Sequence, residues 1–393
     1  MPLFLHSFFL FLVSSQRYFI CPISKIQDSI YSISPFVKRK FTWLLAIFLP
    51  VQIIGINILK GFPEFVEEYY SLGIYPYISR TMRWVLGFIP FSLGDLLYAA
   101  FVVLLILWIA RRFQQRFRSP KIWIPDALAT LSVIYFCFHL FWGFNYYRLP
   151  LHKSLEIEND YTTEKLLELT DVLIKRSNEL HSELAENDTV KVDYHFTKNQ
   201  LFRQTLKGYD HLKKDFPELQ YQGEALKRSL YSLPLTYMGF NGYLNPLTNE
   251  AQVNTIILPY KIATTASHEV GHQLGFAKEN EANFIACLAT MNHPDPYFRY
   301  SGFTFALGYC LNEIYRREPE KVKQMTAKMN PGILKNYREV DEFWRRHTNP
   351  LEPIFQATYN RYLIANNQSD GMKSYSYVVA LLVNYFDDNR NAL

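Results

Sequence analysis

The sequence predicts a mainly α-helical chain: three membrane-spanning helices in its N-terminal part, then an aqueous α+β domain with a small sheet. Three observations carry this prediction. Charge-poor apolar runs crowd the first 150 residues, apolar residues at helical spacing dominate the rest, and a stretch punctuated by Gly, Pro and Asn interrupts them between residues 231 and 260. The length of 393 residues leaves room for one sizeable globular domain and an accessory region, at roughly 100 to 200 residues per domain.

The apolar runs cover residues 43–59 (WLLAIFLPVQIIGINIL), 96–110 (LLYAAFVVLLILWIA) and 123–144 (WIPDALATLSVIYFCFHLFWGF). With their flanks, each is near the roughly 17 to 25 residues that cross a bilayer; the second, being shortest, must draw in residues 88–93. Basic residues are retained on the cytoplasmic side. Lys38, Arg39 and Lys40 precede the first run, and Arg111, Arg112, Arg116, Arg118 and Lys121 fill the loop between the second and third, so both clusters are expected inside. The loop between the first two runs is mixed, with Glu64, Glu67 and Glu68 against Arg80 and Arg83, as suits an outside loop. Three spans starting inside place everything after Tyr147 outside the cytoplasm. The expected organisation is therefore an N-terminal segment at 1–42, a membrane region at 43–147 with the lipid bilayer as its partner, and an extracytoplasmic domain at 148–393. Residues 3–13 (LFLHSFFLFLV) form a further apolar run without the charged start or small-residue cleavage site of a signal peptide. A hydrophobic leader and an over-extended start are both left open for it.

Within the aqueous domain, residues 161–184 and 197–215 have the spacing of amphipathic helices. Short β-branched runs such as 253–258 point to a small sheet or hairpin, and helical patterns resume from Ala263, with breaks at Pro319, Pro331 and Pro350. The apolar tail at 375–385 is too short to span and is expected as a core helix. The net charge of +5 is small, and no basic stripe interleaved with aromatics follows the membrane region, which argues against a nucleic-acid partner. Cys21, Cys137, Cys287 and Cys310 are too few and scattered for a disulfide framework; Cys287 and Cys310 are expected as buried, reduced thiols.

Chemistry concentrates in residues 267–286, SHEVGHQLGFAKENEANFIA, which contain H-E-x-x-H as His268, Glu269 and His272. On a helix, residues four apart share a face, so both imidazoles converge on one ion while Glu269 stands beside it. Neutral imidazoles bind Zn²⁺ and leave a position for water, and the carboxylate takes the proton of that water as it attacks a carbonyl. Gly275 lets the helix end three residues after His272, and a second helix then opens with Glu279 and Glu281, either of which could supply the carboxylate that completes three protein ligands. An oxyanion donor is also required. His293, Tyr297, Tyr300 and Tyr309 follow the motif, and Tyr300, in PYFRYSG, is the first choice. The segment 250–258 is equally compatible with an edge strand that pairs with an extended substrate and with an ordinary sheet strand.

The H-E-x-x-H helix followed by E-x-x-A-N, formed by Glu279, Ala282 and Asn283, resembles the glutamate-ligand zincin metallopeptidases. These occur as membrane-bound prenyl-protein proteases and as soluble regulatory proteases with an E-x-E-A-N form. Taken with three N-terminal spans and the stretch NPLTNEAQVN at 245–254, the chain is most similar to a bacterial family of membrane-bound domains of unknown function. The resemblance covers most of the chain and implies a zincin-like domain in a multi-pass protein of the bacterial cytoplasmic membrane. It implies His268 and His272 as zinc ligands, Glu269 as the general base, Glu279 as third ligand with Glu281 as runner-up, and Asn283 as the outer partner of a ligating imidazole. Asn283 departs from the Asp common among relatives, and the short gap from His272 to Glu279 is closer to metzincin spacing, although Lys278 stands where their third His would fall.

The expected activity is hydrolysis of a peptide or protein outside the membrane. The alternative is a zinc-binding membrane protein without turnover, against which Glu269 argues mildly, because a structural site has no need of it. A transporter would want ionisable groups inside the spans, where only Asp126 and His139 occur. An intramembrane protease would carry its motif within an apolar span, whereas Thr264, Thr265, Gln273 and Lys278 surround this one. The sequence names neither substrate nor cleavage preference.

Overall fold

The computed structural model describes residues 35–368 and 375–389, so the run at 3–13 and Cys21 lie outside the described residues. The chain forms two compact units. The smaller comprises the described part of Met1–Pro50 together with Ser119–Val133; the larger comprises Val51–Arg118 and Ile134–Leu393. In the smaller unit the Arg39 guanidinium bonds the carbonyls of Lys121 and Ile122 and pairs with Asp126 at 3.3 Å, which accounts for one of the two ionisable groups noted in the spans.

Among the described residues, three helices are long and apolar enough to cross a membrane: α1 (Pro35–Leu59, apolar from Arg39), α3 (Leu93–Gln114) and α4 (Pro120–Phe141). Between α1 and α3, the stretches Pro63–Phe65, Val66–Ile74 and Tyr75–Leu86 run on without a break as α2, whose middle part is π-helical. After α4 come a 3₁₀ turn at Gly143–Tyr147, α5 (Thr163–Leu184) and α6 (Lys198–Leu212). Thr162 caps α5, and Thr197 with Gln200 closes a capping box on α6, so each start is set by a side chain that satisfies an orphan N–H.

Three short strands follow, β1 (Leu226–Arg228), β2 (Gly242–Asn245) and β3 (Glu250–Val253), with α7 (Ser232–Met238) between the first two. The sheet order is β1-β3-β2, parallel for β1 with β3 and antiparallel for the β2–β3 hairpin. The 250–258 segment is thus no edge strand. Glu250–Val253 is the central strand, paired on both sides, and the chain leaves the sheet at Asn254, whose side chain bonds Thr236 Oγ1 and the Phe240 carbonyl instead. The edges of the sheet are β1 and β2.

The remaining helices are α8 (Pro259–Gln273), α9 (Glu279–Met291), α10 (Pro296–Arg317), α11 (Pro319–Thr326), α12 (Pro331–His347), α13 (Glu352–Ala365) and α14 (Tyr375–Asp388). The core lies where α10 packs on α5, α9, α8 and α14. It buries Leu166, Leu173, Phe284, Leu307, Ile314 and Leu381, with Cys287 and Cys310 as buried free thiols. α14 is the core helix expected from the tail.

Residues assigned to the membrane region by sequence also belong to the unit that holds the H-E-x-x-H helix. Glu250 of β3 is fully buried and accepts from the first N–H groups of α3, Leu93 at 3.1 Å and Gly94 at 2.6 Å. Those groups have no partner inside the helix, and a carboxylate there also meets the positive end of the helix dipole. In return, buried Asp95 in the first turn of α3 accepts from the Leu230 N–H at 2.6 Å and from the Tyr243 hydroxyl of β2. The sheet and the start of α3 therefore complete each other.

Candidate metal centre

Helix α8 carries His268, Glu269 and His272, and its end is built to hold them. Gly275 adopts φ +95°, in the left-handed region, and the N–H groups of Gly275 and Phe276 return to the His272 and Gly271 carbonyls. This is a Schellman ending, and a Cβ at Gly275 would press on the Tyr75 ring at 3.0 Å. The last carbonyls of α8 find donors far away in sequence. Trp142 Nε1 donates to His272 O at 3.1 Å, and Tyr75, Ser79 and Arg83 of α2 all donate to Gln273 O. The turn itself is held by Arg148, whose guanidinium forms a bidentate pair with Glu67, donates to Gly275 O at 3.1 Å and lies 4.4 Å from the Phe276 ring centre.

This turn delivers the start of α9 back to α8. His268, His272 and Glu279 come together, with one potential ligand atom each and all three atoms within 4.8 Å of one another. His268 Nε2 lies 3.2 Å from Glu279 Oε2, and His272 Nε2 lies 3.5 Å from Oε1. Ligands about 2.0–2.1 Å from a tetrahedral zinc stand about 3.3 Å apart, so the spacing fits such an ion.

The hydrogen bonds behind the imidazoles give a sharper test. His272 Nδ1 faces the Phe276 carbonyl at 2.7 Å, an acceptor only, so this nitrogen carries hydrogen and the neutral ring turns the lone pair of Nε2 toward the Glu279 carboxylate. His268 Nδ1 likewise faces Asn283 Oδ1 at 2.9 Å. Two lone pairs and a carboxylate meeting in a half-buried space repel one another unless a positive charge, a metal ion or a proton on an imidazole, lies between them. Titration shifts follow the same logic. Burial alone would lower the His272 pKa, but Glu279 outweighs it and raises it to about 9; burial would raise Glu279, but His272 and His268 hold it well below the usual carboxylate range.

Glu269 is 3% exposed, and its Oε2 has no hydrogen-bond partner. Burial pushes its pKa up to about 7 against the lowering effect of the two histidines. Its other oxygen faces β2, where a Cβ at Gly242 would stand 2.7 Å from Oε1 and 2.7 Å from the Gln252 carbonyl. Only glycine lets the edge strand lie this close to the carboxylate.

Of the two acidic candidates, the structure brings Glu279 to the histidines, while Glu281 is fully buried and accepts from the Leu151 N–H at 2.9 Å. Tyr300 sits elsewhere: it is 0% exposed in the main core, with its hydroxyl donating to Asn336 Oδ1 at 2.8 Å. A hydroxyl so enclosed and engaged is not available to a bound substrate. His293 is likewise buried, on the Gln204 carbonyl. Instead α13 supplies Tyr359, whose hydroxyl donates to Glu279 Oε1 at 2.6 Å and whose ring packs on Phe240 and Tyr362. With 28 tyrosines in the chain and about eighty positions between Tyr359 and Glu279, no local signal marks this residue.

Over residues 70–383 the chain matches a family model described as protein of unknown function (DUF3810). No curated protein and no solved structure matches it.

Proposed function

We propose that this chain, which belongs to the DUF3810 family, is a membrane-anchored zinc metallopeptidase with a zincin-like domain that hydrolyses peptide bonds. The observation that carries the proposal is the convergence of His268, His272 and Glu279 on one point, with both Nδ1 atoms already committed and the unpartnered carboxylate oxygen of Glu269 on the same helix. When bound, zinc would supply Lewis-acid polarisation of a water and of the scissile carbonyl. Glu269 then takes the proton of the attacking water and returns it to the leaving amine. Asn283 and the Phe276 carbonyl fix the ring planes of the histidines, as outer partners do in zinc sites. Tyr359, beside Glu279, donates to the oxyanion in the role that sequence reasoning gave to Tyr300.

The site belongs on the extracytoplasmic side of a bacterial cytoplasmic membrane. The basic clusters flanking α1 and between α3 and α4 support this orientation, and the packing of α2 under α8 requires the first inter-span loop and the C-terminal domain to share one side.

The test is elemental analysis of the full-length protein in detergent, beside His268→Ala and Glu269→Gln. One zinc per chain, lost in His268→Ala, kept in Glu269→Gln, and accompanied by cleavage of a peptide library that Glu269→Gln abolishes, is the expected result. A folded wild-type protein that takes up no zinc would overturn the proposal; zinc without cleavage would leave a zinc-binding membrane protein.

A further inference from the structure

α2 has two faces. Val66, Tyr70, Ser71, Tyr75, Ser79 and Arg83 are buried, and several of them bond the end of α8. The other face carries Phe65, Tyr69 and Leu72, then Tyr77 at 71% and Trp84 at 70% exposure, and Phe88 just beyond at 74%. Tyr77 and Trp84 are two helical turns apart and Phe88 one turn further, so they form one stripe rather than scattered exposures. An aromatic stripe of this extent is unusual on a surface that meets only water.

Its place in the chain identifies what covers it. α2 joins two consecutive spans, ending on α1 at Leu59 and on α3 at Leu93, so both its ends lie at the same bilayer face. Tyr and Trp are the side chains that settle at the headgroup layer, with the ring in the apolar boundary and the polar edge in water. A second patch meets the same face independently. Leu230 and Leu233, at the start of α7, are exposed, and Leu230 is tied through its N–H to Asp95 in the first turn of α3.

We propose that the outward face of α2, with Leu230 and Leu233 of the α7 region, lies in the headgroup layer of the bilayer, a lipid contact additional to the three spans. α2 is then an interfacial helix with the lipid surface on one side and the end of the H-E-x-x-H helix on the other. The site is held at the membrane surface rather than swinging on a tether.

The test places a photoreactive benzoyl-phenylalanine at Tyr77, Trp84, Phe88 or Leu233 of the full-length protein in phosphatidylcholine–phosphatidylglycerol vesicles. Tyr315 of α10, exposed at 64%, serves as a water-facing control. All five positions are exposed, so the label disturbs no packing, and melting temperatures verify this. Lipid adducts at least tenfold above the Tyr315 yield at Tyr77, Trp84, Phe88 and Leu233 are the expected result. Yields equal to that of Tyr315, or cross-links to a second copy or another protein in place of lipid, would overturn the assignment.

Discussion

Glu67→Gln tests whether the membrane-proximal segment holds the site together. It removes the charge opposite Arg148, whose side chain is 4% exposed and cannot turn to water. Breaking one partner of a buried ion pair costs about 3–5 kcal/mol. Here the lower end applies, because Arg148 keeps the Gly275 carbonyl and the Phe276 ring and the glutamine amide retains an acceptor. At about 2–4 °C per kcal/mol for a body of this size, a loss of about 3 kcal/mol lowers the melting temperature by about 6–12 °C. The same turn presents Phe276 O to His272 Nδ1, so zinc affinity should fall about tenfold, as for loss of an outer partner. Thermal unfolding in detergent and competition with a zinc chelator read the two effects. Replacing the pair by Glu67→Leu with Arg148→Met should restore most of the stability, since an apolar pair leaves no stranded charge. A Glu67→Gln protein that melts within about 2 °C of wild type, or a double variant no better than the single, would refute the reasoning.

Gly242→Ala puts a Cβ 2.7 Å from both Glu269 Oε1 and the Gln252 carbonyl, and the carboxylate must yield because the strand pairing resists. Cleavage should drop about 10- to 100-fold, as sub-ångström misplacement of a reacting group does, with zinc content unchanged. Tyr359→Phe should lower kcat about 10²- to 10³-fold if its hydroxyl meets the oxyanion, whereas Tyr300→Phe, which only frees Asn336, should leave kcat unaltered and cost about 1 kcal/mol of stability. Asn283→Ala should weaken zinc binding about 10- to 100-fold, and Asn283→Asp should bind at least as tightly as wild type, both measured by chelator competition. Burial lowers the Lys261 pKa to about 8. Its folded value lies below the unfolded one, so the folded state holds fewer protons between about pH 8 and 10.5, and stability from this group rises with pH across that window. Lys261→Met should therefore stabilise the protein at pH 7 by about 1–2 kcal/mol, after discounting for partial exposure, with the gap to wild type closing as pH climbs through the window.

Features legible in the sequence were those encoded locally. Three charge-poor runs announced α1, α3 and α4; the four-residue spacing of His268 and His272 announced a shared helix face; and Gly275 marked the turn that brings Glu279 back. The sheet was legible as a composition change but not as strands, because elements of three or four residues are too short for a period of two to declare itself. Its order depends on Leu226–Arg228, which alternates neither in polarity nor in size. Long-range partnerships were illegible for a different reason. Tyr75, Ser79 and Trp142 belong, by sequence, to the membrane region and Arg148 opens the aqueous domain, and only packing reveals that they terminate the helix of the site. Tyr359 was hidden among many tyrosines, whereas Tyr300 was favoured by mere proximity in sequence to the motif.

The exchange between Glu250 and the start of α3 bears on how the protein is made. α3 leaves the ribosome before β3, and the N–H groups of Leu93 and Gly94 emerge waiting for a strand whose residues have not yet been translated. When β3 arrives, it finds the N–H partners of its carboxylate already formed at the start of α3, so the sheet assembles on a template instead of finding its register in free solution. A fragment beginning after residue 148 would lack that template, leaving the Glu250 side chain with only Thr248 of these hydrogen-bond partners. Such a fragment should be recovered as aggregate, and the co-expressed N-terminal region should rescue it in trans.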